Sequence, residues 1–294
     1  MLDLLQAILC TIAYSDVFDH PLTEAEIHTY LIEVPASRAE VHRALYADLL
    51  PARRLACRED HFMLPGREAA LDLRRRRGEF STRLWPHAVR YGRWIGHLPF
   101  VRMVAVTGSL AVDSADRQAD LDYLIVTRPG RLWLTRALVI LLVRLASRRG
   151  DTICPNYFLS EGALELPQRN LFTAHELAQM TPLVGTEVYG HMWRLNGWVR
   201  GFLPNVVRRT DGTTLSGVYS EKIRPGLEAL LQSRWAGRLE EWEMRRKQIR
   251  FGRQVHPHPE AAFGPDICKG HFDDHGQRIL EAYQDRLRAM EGVR

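Results

Sequence analysis

"VTGSLAVDSADRQADLDYLIVT", residues Val106 to Thr127, decides how this chain is read. Two apolar runs that read as strands flank a polar loop. Gly108 and Ser109 close the first run, and Asp120 and Asp122 open the second. A strand turns alternate side chains to opposite faces. Asp120 and Asp122 are therefore expected on one face, with Leu121, Tyr123 and Ile125 on the other. Two carboxylates that close repel each other unless a cation lies between them, and Mg²⁺ takes such oxygen ligands. Gly108 permits close backbone approach, Ser109 offers a hydroxyl, and a short helix starting at "SLAV" offers free N–H groups. These pieces read as a triphosphate cradle facing a metal site. They suit in-line displacement at the α-phosphorus of a nucleoside triphosphate.

The rest of the chain frames this stretch. With 294 residues, 46% hydrophobic and 26% charged, it is expected to be globular and to form more than one unit. Its formal net charge of +5 suits an anionic ligand, although arginine-rich composition alone gives the same sum. Cys10, Cys57, Cys154 and Cys268 are far apart and form no CxxC pair. That argues against a zinc ribbon or a disulfide scaffold and fits a reducing cytoplasm. The N-terminus lacks the basic flank and cleavage site of a signal peptide. The most apolar stretch, Leu132 to Ala146, contains Arg136 and Arg144. It falls short of the about 20 apolar residues of a membrane span, so no membrane partner is expected.

Residues 1–66 read as three helices and a hairpin. Thr23 with Glu26, and Ser37 with Glu40, have the spacing of capping boxes. Leu22 and Ile27 are placed as a hydrophobic staple, and Val41, Leu45 and Leu49 make one helix face. The segment "RLACREDHFMLPG" reads as a short hairpin, which completes the layout of a winged-helix domain. Residues 67–98 read as a basic linker helix. Its run Arg74 to Arg77 is either a solvated face or a contact for phosphates. Strand and helix then alternate over 99–185. The third strand is "TICPNYFLS", and "LFTAHELAQMTPLVG" reads as a helix ending at Gly185. Residues 186–294 are expected to be mainly helical.

Apolar-Gly-Ser, about ten residues, then Asp-apolar-Asp-apolar resembles the signature of the polymerase-beta-like nucleotidyltransferases. Here it runs from about Phe100 to Leu159. "YSDVFDHPLTEAEI" and "GRLWLTR" are also similar to bacterial nucleotidyltransferase-domain proteins with an N-terminal helical extension. The resemblance implies an α+β fold: a small mixed-sheet nucleotidyltransferase core flanked by a winged-helix-like domain and a helical C-terminal region. It implies a nucleoside triphosphate substrate, Mg²⁺ held by Asp120 and Asp122, and Gly108 and Ser109 at the phosphates. Such proteins carry a third carboxylate on the next strand. The residue in that place is Asn156, which is neutral, and Asp151 and Glu161 are the nearby substitutes.

Several polar groups remain open to two readings. Arg136 can reach a phosphate or pair with a nearby acid. His175-Glu176 reads as a helix-surface pair or as an acid–base pair near the cleft. "HFDDH", His271 to His275, reads as a helix cap, as part of the active site, or as a metal site. Two functions follow. One is transfer of a nucleoside monophosphate to a hydroxyl on a small molecule, protein or RNA. The other is a catalytically degenerate nucleotide-binding module whose winged helix binds DNA or protein. The candidate recognition helix sets Glu40 and Asp48 against Arg38, His42 and Arg43, so duplex DNA is not favoured.

Overall fold

The computed structural model describes residues 2–147, 152–209, 226, 228–229, 231, 234–252, 262–270 and 275–291. Helices and strands mix throughout, and the larger of two sheets among the described residues contains both parallel and antiparallel pairs.

The N-terminal layer holds α1 (Leu4–Asp16), β1 (Leu22–Thr23), α2 (Glu24–Thr29), α3 (Arg38–Arg43), β2 (Ala56–Arg58) and β3 (His61–Met63). Both capping boxes form, and Asp3 with Gln6 adds a third at the start of α1. A π-helical stretch, Ala44–Leu49, prolongs α3, and Val41, Leu45 and Leu49 are all buried. The hairpin is closed by Glu59 and Asp60, both at positive φ, as a two-residue turn that matches strand twist requires. β1 adds antiparallel to β3, giving a three-stranded sheet in the order β1-β3-β2.

The helix α4 (Ala70–Gly96) leads to the main sheet. Most of its basic run contacts the N-terminal layer, while Arg76 is exposed. Arg74 pairs with Glu26 at 2.9 Å, Arg75 pairs with Glu59, and Arg77 donates to the Phe18 carbonyl at 2.7 Å. Three of the four arginines thus tie α4 to the N-terminal layer.

The main sheet comprises β4 (Val101–Val106), β5 (Leu121–Thr127), β6 (Ile153–Ser160), β7 (Thr181–Val184), β8 (Ala262–Phe263) and β9 (Ile267–Lys269), in the order β7-β4-β5-β6-β9-β8. A four-residue helix, α5 (Gly108–Ala111), follows β4. β5 and β6 are parallel, and α6 (Leu132–Ser147) makes the crossover that such a pair needs. The other pairings are antiparallel. One face carries Tyr123, Ile125 and Phe158 and packs with Tyr91 of α4 and Trp133 of α6. The opposite face carries Met103, Leu124, Val126 and Leu159. It is covered by α7 (Leu171–Gln179), α8 (Thr186–Leu195) and α9 (Val199–Phe202), with Tyr14 and Ile32 from the N-terminal layer.

Two expectations are revised. The helix expected to run to Gly185 ends at Gln179, and Thr181–Val184 is a strand. Pro182 disfavours helix at the residue before it and lacks an N–H, which suits β7 to its place at the sheet edge. The sheet also reaches beyond 99–185, because β8 and β9 from the C-terminal region complete it. That region adds α10 (Arg234–Gly252), packed on α6, and α11 (His275–Glu291), packed on α1 and α7. Asp16 receives Arg67 and Arg286, each at 2.7 Å. Among the described residues no helix is long and apolar enough to cross a membrane, and the four cysteines are free thiols.

Candidate functional site

A cavity of about 290 Å³ opens on the α7 side of the sheet, at the end of β4 and the start of β5. Thr107, Gly108 and Ser109 line it from the β4–α5 junction, with Asp122 and Leu124 from β5 and Tyr157 from β6. Phe172, Thr173, Glu176 and Leu177 line it from α7, Lys269 from β9 and His275 from α11.

Alternation places Asp122 here. Leu121 and Tyr123 belong to the core on the far face, and the Tyr123 hydroxyl donates to the Ala88 carbonyl at 2.7 Å. Asp122, between them, faces the cavity. The Thr107 N–H donates to the Asp122 carbonyl at 3.1 Å, which fixes the two strand ends side by side. Gly108 has φ +65°, and a Cβ there would stand 2.6 Å from Asp122 Oδ2. Only glycine fits both that backbone and that approach. The loop between is pinned at two points. Trp85 Nε1 donates to Asp113 Oδ1 at 2.8 Å, and the Ala115 N–H donates to Ser81 Oγ at 3.0 Å.

Asp120 lies just before β5, half-buried, and is not among the residues lining the cavity. The strands next to Gly108, Asp120 and Asn156 are neighbours in the sheet. In β6, Cys154 stands across from Asp122 and Tyr157 across from Leu124, with a register shift between them. Asn156 falls within that shift, and its side chain lies outside the described residues. Asp151 and His271 to Asp274 also lie outside them. Glu161 is at the other end of β6, 3.7 Å from Arg102. Arg136 stands over the Trp133 ring at 5.9 Å and beside the Cys268 thiol, both in the core on the far face of the sheet. It does not line the cavity. Among the described residues no three His, Cys, Asp or Glu side chains form a ready metal cluster.

The pair His175-Glu176 is not on a helix surface. His175 is buried and stacks on Tyr14, with ring centroids 4.2 Å apart, and burial pushes its pKa down to about 3. Glu176 lines the cavity, and burial pushes its carboxyl up to about 6 against the opposing pull of Lys269. Lys269 Nζ donates to Gln168 Oε1 at 2.7 Å and lies 5.8 Å from the centre of the Tyr157 ring. Burial also pushes Tyr157 up to about 12.

Arg209 is a further residue that sequence reasoning missed. Its Nη1 donates to the Ala111 carbonyl at the end of α5, and to the Gln179 carbonyl at the end of α7, at 3.1 and 2.9 Å. One guanidinium therefore holds together the two elements that flank the cavity. No sequence pattern signals it, because its partners, two backbone carbonyls and the Thr181 hydroxyl, are far away in the chain. Compared with protein-family models, curated proteins and solved structures, the chain matches none.

Proposed function

We propose that the chain is a Mg²⁺-dependent nucleotidyltransferase that uses this cavity to move a nucleoside monophosphate from a nucleoside triphosphate to a hydroxyl acceptor. The observation that carries the reading is the approach of Gly108 to Asp122, with Ser109 beside them in one cavity. The space that a Cβ would fill is left open next to a carboxylate oxygen. The donors there are hard oxygens, Asp122 and the Ser109 hydroxyl, with Asp120 two residues before. That set fits Mg²⁺, which binds one or two carboxylates and completes its shell with phosphate oxygens and water. When bound, the ion would offset the negative charge that develops on the transferred phosphoryl group. The chain's own residues bind and orient. Ser109 donates to a phosphate oxygen, Gly108 admits the phosphate to the backbone, and α7 walls off bulk water.

The second reading, a nucleotide-binding module without transfer, has an observation in its favour. Cys154 and Tyr157 occupy the β6 positions across from Asp122 and Leu124. Neither is a carboxylate that could take the acceptor's proton. The three helices and three-stranded sheet of the N-terminal layer support the winged-helix reading. His42, on the helix that would enter a groove, is engaged by Glu24 at 2.9 Å, and the layer is clasped to the core through Asp16. A packing role is better supported than duplex binding, and a cytoplasmic location remains part of the proposal.

Calorimetry with Mg²⁺-ATP tests the reading. Asp122→Asn should weaken binding by about 100-fold, since even partners outside the ligand shell are worth roughly 10–100-fold in metal affinity. Asp120→Asn should weaken it less. Unchanged affinity in Asp122→Asn defeats both readings. Triphosphate that is bound but never consumed, with lysate supplied as a source of acceptor, selects the second.

A further inference from the structure

The nucleotide reading leaves one acid of the cavity without a task. Glu176 lines it from α7, beside Phe172 and Leu177. Among the described residues no donor lies within hydrogen-bonding distance of its carboxylate, and no ion pair joins it to Lys269, which acts on it only through space. Glu176 is half-buried, so its carboxylate meets the open volume of the cavity instead of a protein donor. That volume is large enough for a small organic molecule.

We propose that Glu176 anchors a protonated amine of the acceptor, so that the acceptor is a small organic molecule with a cationic amino group on an apolar body. The identification of this ligand as the acceptor rests on the nucleotidyltransferase reading. Leu166, Phe172 and Leu177 receive the apolar body. Among the described residues, two carboxylates, Asp122 and Glu176, share the cavity with the Lys269 ammonium, which is engaged by Gln168, and with the His275 imidazole. Their summed field disfavours an anionic acceptor and favours a cation over a neutral alcohol.

Three probes of one shape test this without nucleotide: benzylammonium, benzyl alcohol and benzoate, titrated into the full chain by calorimetry at neutral pH. Benzylammonium should bind roughly ten-fold tighter than benzyl alcohol, the difference expected of a charge-assisted hydrogen bond, and benzoate should bind weakest. Glu176→Gln should erase the amine's advantage and leave the alcohol's affinity in place. Equal affinity for amine and alcohol in the unmodified chain overturns the proposal, and that comparison needs no variant to fold. An amine advantage that persists in Glu176→Gln also overturns it. So does loss of binding to Mg²⁺ alone in that variant, which would make Glu176 a metal ligand. Because no triphosphate is present, failure here is separate from failure of the Mg²⁺-ATP titration of Asp122→Asn.

Discussion

Glu240 and Glu176 are helical acids on opposite sides of the main sheet, the first buried and the second half-buried at the cavity, and desolvation raises the pKa of each. They are treated in opposite ways. Glu240, on α10, accepts the Trp133 and Leu134 N–H groups, both at 2.7 Å, and so caps the start of α6 from another helix. Those N–H groups are among the donors that any helix leaves unsatisfied at its first turn. Glu176 has no such donor among the described residues. One acid completes the fold, and the other is left incomplete by it. A buried acid by itself therefore says little about function, whereas one that faces open space without a donor says a good deal.

Substitution should separate the two acids by sign. Glu240→Ala strands two buried N–H groups, each worth about 1–3 kcal/mol when left unsatisfied, so a loss of about 3 kcal/mol is expected in urea unfolding. A loss under about 0.5 kcal/mol would mean that water replaces the carboxylate, and the contrast with Glu176 would weaken. Glu176→Gln should instead stabilise the fold. Its carboxyl rises from 4.5 to about 6 on folding. Between those values the folded chain keeps a proton that the unfolded chain has released, so this group weakens the fold as pH rises through the window. The gap between variant and parent should open from pH 4.5 to 6 and level off at about 2 kcal/mol.

His175 works against this trend. Its pKa falls from 6.5 to about 3, so the folded chain has shed a proton that the unfolded chain keeps. Stability from that residue is complete above pH 6.5 and is lost as pH falls toward 3. The difference between parent and Glu176→Gln cancels the His175 contribution, which is why the comparison should be made at each pH. The smallest effect belongs to the outer layer. Ser37→Ala removes the cap of α3 and should lower stability by about 1 kcal/mol near neutral pH, and by less as pH falls and Glu40, whose pKa the Ser37 hydrogen bonds hold down, takes up its proton. A larger loss would mean that α3 carries more of the N-terminal layer than its six residues suggest.

These contrasts also mark what the sequence makes legible. Thr23/Glu26 and Ser37/Glu40 could be read because a cap is decided within four residues, and the structure contains both. Gly108 and Asp122 could be read because period-two alternation and one glycine are local signals. β8 and β9, of two and three residues, are too short to show a period, and only their partner β6 makes them strands. His175-Glu176 stays open between a helix surface and the cleft for a related reason. A polar pair on a helix suggests a wet face, yet α7 buries Leu171, Ala174, His175, Leu177 and Ala178 and so is enclosed on most sides. The small and apolar residues around His175-Glu176 were the available hint.

The strand order has a consequence in time as well as in space. Tyr157 on β6 pairs with Lys269 on β9, and 112 positions of chain separate them (269 − 157). At a synthesis rate of roughly 5–20 residues per second, β6 is made on the order of ten seconds before its partner. Through that interval its outer edge has unpaired N–H and C=O groups, the template on which strands of other chains add. The cavity lacks its Lys269 wall for the same period, so a nascent chain is exposed to misassembly at the place where the candidate site is to form.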